Sequence, residues 1–87
     1  MGDDEVLIFF ARSKLRLEVL NKLNEKPQIA SFLAHKLNKH REVISRVFLD
    51  LTEQGFAECK NPESPHFRYY KITKKGKEAL KLLEEFY

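Results

Sequence analysis

Within the eleven residues from position 36 to position 46 stand Lys36, Lys39, His40, Arg41, Glu42, Ser45 and Arg46, four permanent cations against a single acid. Ammonium and guanidinium groups at this density hold phosphate oxygens, and Arg, Glu and Ser also hydrogen-bond base edges in a major groove. A second set, Lys60, His66, Arg68 and Lys71, sits in an aromatic-rich stretch. These side chains can reach backbone phosphates or a minor groove and add salt-sensitive affinity. Each set also has a plainer use. The first can be a solvated helix face, and Arg68 can pair with Glu58 across a hairpin, a surface contact worth about 0.2 to 1 kcal/mol. Phe67, Tyr69 and Tyr70 can stack on single-stranded bases, although alternating aromatics more often pack on the body, which would turn Tyr70 and Ile72 inward.

Other chemistries find less support. His35, His40, His66 and Cys59 have no paired spacing of the kind a zinc site uses, so no metal and no cofactor is expected. No nucleophile with a base beside it, glycine-rich phosphate loop or carboxylate pair can be assembled, so the chain is not expected to be an enzyme. Sixteen Lys and Arg against thirteen Asp and Glu leave a net charge of only +3, so the distribution matters more than the total. Acids gather at Asp3, Asp4, Glu5, Glu84 and Glu85, away from the basic middle. The lone cysteine closes no internal disulfide, no leader pattern is seen, and the apolar run Val6 to Ala11 is far short of the roughly 20 residues that span a bilayer. These features suggest a cytoplasmic protein with no membrane partner, its 87 residues forming one domain.

The elements that must position the basic residues follow from periodicity. Phe9, Phe10, Leu15, Val19, Leu20 and Leu23 recur near a spacing of 3.6, which predicts a first helix over 6–23. Asn24 to Pro27 interrupts it, and Ile29, Ala30, Leu33, Ala34 and Leu37 predict a short second helix with Phe32 off the buried stripe. Asn38 tolerates the left-handed conformation of a helix end, so residues 38–41 form a tight turn. A third helix, about 41–54, buries Ile44, Val47, Phe48 and Leu51 and ends at Gly55. Two short amphipathic helices joined by a few polar residues make a helix-turn-helix whose second helix reads DNA. Two runs rich in aromatic and β-branched residues, 56–60 and 67–73, are separated by Asn61 to Pro65 and predict a projecting hairpin, or wing. Thr73 then caps a last helix over 74–87. The whole is an α+β chain, with a three-helix core, a β-hairpin wing and a C-terminal helix.

Three stretches carry a family resemblance. Leu33-Ala34-His35-Lys36-Leu37-Asn38 and Val43-Ile44-Ser45-Arg46-Val47-Phe48 resemble the "LA..LG" and "tVSR.L" segments of winged-helix regulators, at the same separation. Cys59, Asn61-Pro62-Glu63, Arg68, Tyr70, Ile72-Thr73 and Gly76 resemble the wing and closing turn of archaeal-type winged helix-turn-helix repressors of the broad ArsR/MarR kind. Asn38 and Lys39 depart from the pattern, standing where many relatives have glycine and a small hydrophobic residue.

The resemblance implies sequence-selective binding of double-stranded DNA by a transcriptional regulator, with helix 41–54 in the major groove, wing 57–72 on the backbone or minor groove, and Arg68 as a wing contact. A winged helix used for protein contact in a transcription or replication assembly is the alternative. Apolar surplus at the two ends, Val6, Leu7, Phe9 and Phe10 with Leu82, Leu83, Phe86 and Tyr87, predicts a homodimer joined through the terminal helices.

Overall fold

The computed structural model describes residues 2–86. The elements, in chain order, are α1 (Asp3–Ala11), α2 (Lys14–Glu25), β1 (Gln28–Ile29), α3 (Ala30–Leu37), α4 (Arg41–Glu53), β2 (Ala57–Cys59), β3 (Tyr69–Ile72) and α5 (Lys74–Glu84). The strands form one antiparallel sheet in the order β1-β3-β2.

The first long helix of the sequence reading is two helices. Arg12 ends α1 and Ser13, in extended backbone, opens α2. The corner folds α1 back over the body, where the rings of Phe9 and Phe10 lie 5.6 and 5.3 Å from that of Phe56. Arg16 closes it: one terminal nitrogen donates to the Phe9 carbonyl at 2.7 Å, the other lies 3.4 Å from the Asp50 carboxylate, and the guanidinium sits 4.0 Å over the Phe9 ring.

The same fold-back corrects the expected dimer surface. Val6, Phe10 and Leu83 are buried in the core of this chain and have no surface to offer a partner. Leu7, Phe9 and Leu82 are half-buried against that core, Ile8 and Phe86 are exposed, and Tyr87 lies outside the described residues.

Ile29 was expected in the second helix but belongs to a strand. Gln28 and Ile29 pair with Tyr70 and Tyr69, and α3 begins one residue later. Gln28 is buried, and its side-chain amide donates to the Lys22 carbonyl at 3.1 Å, so the polar group is satisfied.

The turn between α3 and α4 is set by Asn38 at φ 56°, ψ 48°. Its N–H bonds the His35 carbonyl while that of Lys39 bonds the Ala34 carbonyl at 2.9 Å, the paired closure of a left-handed helix end. His40, extended, then starts α4. Gly55, at φ 82°, closes α4 the same way, with the Phe56 N–H on the Leu51 carbonyl. The Thr73 hydroxyl caps α5 by accepting from the Gly76 N–H at 3.0 Å and donates to the Gly55 carbonyl at 2.6 Å. Leu20, Leu23, Leu33, Ile44, Phe48, Leu51 and Phe56 are fully enclosed where the helices meet the sheet.

Candidate nucleic-acid interface

With Ile44, Val47, Phe48 and Leu51 buried, helical geometry turns Glu42, Ser45, Arg46 and Leu49 toward the opposite side of α4. Arg41, Ser45 and Leu49, four residues apart in succession, line a cleft of about 550 Å³ between α4, the start of α3 and the wing. Across that cleft stand His66, Phe67 and Arg68. Glu42 and Arg46 line a separate shallow groove beside Ser13 and Leu15. The basic set of the sequence reading is therefore split over two sides of one helix. Lys36, Lys39 and His40 are exposed along the end of α3 and the turn.

In the wing, Lys60 lies 3.2 Å from Glu58, and the cross-strand partner of Glu58 is Lys71. Arg68 does not take the Glu58 pairing offered as its plainer use. Its Nε donates to the Ser64 carbonyl at 2.8 Å, and its two terminal nitrogens make no hydrogen bond among the described residues. The loop is braced by Asn61, which donates to the Phe67 carbonyl and accepts from the Tyr69 N–H at 2.9 Å.

Tyr70 faces inward, as the alternation suggested, with its ring 4.6 Å from that of Phe48. Burial raises its phenol above the ordinary range and Cys59 acts in the same direction, while Arg68 draws it down. Ile72 is also buried, whereas Phe67 and Tyr69 are exposed.

Sequence reasoning missed Leu49 and Ser31. Leu49, 51% exposed, presents an apolar group of the kind that contacts a thymine methyl. Its spacing from Arg41 and Ser45 was the signal. Ser31 joins the cleft only because β1 fixes where α3 begins. Among the described residues no cluster of three or more His, Cys, Asp or Glu is placed to hold a metal. No helix among them is long and apolar enough to cross a membrane.

A helix-turn-helix backed by a three-stranded sheet, with a braced wing beside its second helix, is the winged helix-turn-helix fold. The chain is 39% identical over 70 residues to an uncharacterised HTH-type transcriptional regulator of Methanocaldococcus jannaschii, a match covering 77% of this chain and 65% of that protein. Two solved structures share the fold. The adhesin competence repressor of Streptococcus pyogenes superposes with a TM-score of 0.70 at 16% identity, over 94% of this chain and 66% of that one. The transcriptional regulator HlyU of Vibrio vulnificus gives 0.72 at 22% identity, over 97% and 86%. No family model matches the chain.

Proposed function

We propose that this chain is a transcriptional regulator that binds double-stranded DNA selectively in the cytoplasm, without a catalytic step. In this reading α4 enters the major groove, and the wing lies on the backbone or minor groove. The cleft carries the proposal: Arg41, the Ser45 hydroxyl and the apolar Leu49 line it from α4, and Arg68 lines it from the wing. A sugar-phosphate strand passing between a helix in one groove and a wing in the next would meet both cations. The homology to an HTH-type regulator supports the same reading.

The test is a mobility-shift titration with mixed-sequence duplex at low salt. Arg41→Ala is expected to weaken binding by about 10- to 150-fold, the effect of losing one charged hydrogen-bonded phosphate contact of roughly 1.5 to 3 kcal/mol. Arg46→Ala is expected to weaken it as well. Both exposed substitutions should leave melting nearly unchanged, within about ±0.5 kcal/mol. Absence of duplex binding at low salt would remove the DNA reading and leave this face to a protein partner.

The regulator is further proposed to act as a homodimer through α1 and α5. These helices touch within the chain; Ile8 on α1 and Phe86, just past the end of α5, are exposed, and Leu7 and Leu82 are half-buried. A two-fold pair would space the two α4 helices by about 34 Å on a palindromic site. Light scattering behind a sizing column at tens of micromolar should give the mass of two chains. Ile8→Glu should halve that mass without lowering the melting of the monomer. A wild-type species at monomer mass would end the proposal.

A further inference from the structure

We propose that Phe67 is an apolar wedge that enters the minor groove of the bound duplex and unstacks a base step, an inference that rests on the DNA-binding reading above. Phe67 is 66% exposed and holds φ at 54°, in the left-handed region where a bulky side chain is an outlier. The wing is built to keep it there. Asn61 grips the chain just after the residue, donating to the Phe67 carbonyl at 3.3 Å and accepting from the Tyr69 N–H at 2.9 Å. The Ser64 hydroxyl donates to the His66 carbonyl at 2.6 Å, which closes the loop just before it. A glycine or asparagine would occupy this conformation with less strain, so what the position gains from phenylalanine is the ring itself.

That ring does little for the fold. Its aromatic neighbour is Phe32 on α3, with centroids 6.3 Å apart and planes at 48°, and Phe32 is itself 60% exposed. Two rings that leave most of each other in water enclose no core and would leave no cavity if removed. Their surroundings select the partner. Phe67 lies between His66 and the Arg68 guanidinium, with Arg41 across the cleft, and Lys36 follows Phe32 one turn later on the same face of α3. An exposed aromatic group on a cleft that also carries Arg41 and Arg68 suits a polyanion with stacked apolar bases. Apolar side chains that part base steps, with flanking cations on the phosphates, are a known way to bend a duplex toward the major groove.

The experiment uses the full chain and a duplex recovered by it from a random-sequence pool, with 2-aminopurine placed at each adenine in turn. Wild-type binding is expected to raise the fluorescence severalfold at one step under each wing. Phe67→Gly should abolish that rise and melt no lower than wild type, while Phe67→Leu should retain most of it. The salt dependence of binding should be the same in all three, because no cation is lost. Recovery of no duplex at low salt would overturn the DNA reading and the wedge together. Binding without a fluorescence rise at any step, or a rise that survives Phe67→Gly, would overturn the wedge alone.

Discussion

Gly76→Ala is expected to destabilise this domain by about 3 kcal/mol or more, the upper end of what overpacking costs. Gly76 is buried in the first turn of α5, and a methyl group there would run into the Phe56 carbonyl oxygen and lie 2.6 Å from Cγ1 of Ile72. Neither neighbour can step aside. The Phe56 carbonyl accepts the Thr73 N–H at 3.1 Å, and Ile72 is buried opposite Ala57 in the sheet. Relief would have to lift α5 away from the strands, which breaks the Thr73 cap and uncovers Ala79, Leu80 and Leu83. In a domain of this size each kcal/mol moves Tm by about 4 to 8 °C, so a fall of about 12 °C or more is expected by calorimetry. Two other glycines calibrate the result. Gly2→Ala meets no atom within 4 Å and should be neutral, while Gly55→Ala has room for its methyl but must hold φ at 82° and should fall between. A Gly76→Ala protein that melts with wild type would mean that α5 does not sit on the Phe56 carbonyl.

Duplex affinity is expected to fall about 500-fold for each protomer between 50 and 200 mM salt, the second large effect. Lys36, Lys39, Arg41, Arg46 and Arg68 are all exposed. Five neutralised phosphates would give a slope of log affinity on log salt of about −4.5. Lys60 is left out of this set because Glu58 already lies 3.2 Å from it. Removing one contributor, as in Lys39→Ala, should lower the slope by about 0.9 and weaken all sequences alike, whereas loss of a base contact would relax selectivity at one position. A slope near zero would mean that these cations do not meet phosphates.

The sequence by itself determined the helix-turn-helix, the wing and the final helix. Ile44, Val47, Phe48 and Leu51 mark the buried face of α4, Asn38 and Gly55 take the positive φ values their positions require, and Thr73 caps α5. These signals are local: a periodic apolar stripe, a residue that tolerates the left-handed region, a hydroxyl one turn before a free N–H. Tertiary structure alone decided the rest. The break at Arg12–Ser13 pays off only because Phe9 and Phe10 then reach Phe56, more than forty positions along the chain. Gln28 and Ile29 become a strand because Tyr69 and Tyr70 supply the other half of its ladder. Val6 and Phe10, which look like a surplus for a partner when only the helix is considered, are consumed by the chain's own core. The candidate site follows the same rule. Arg41 and Arg68 were each visible as cations, but their meeting across one cleft depends on the sheet that holds the wing beside α4. Periodicity describes how one segment divides its surface between apolar and polar faces. Which distant segment covers the apolar face is settled by the energy of contacts between residues far apart in the chain, and no local pattern records that.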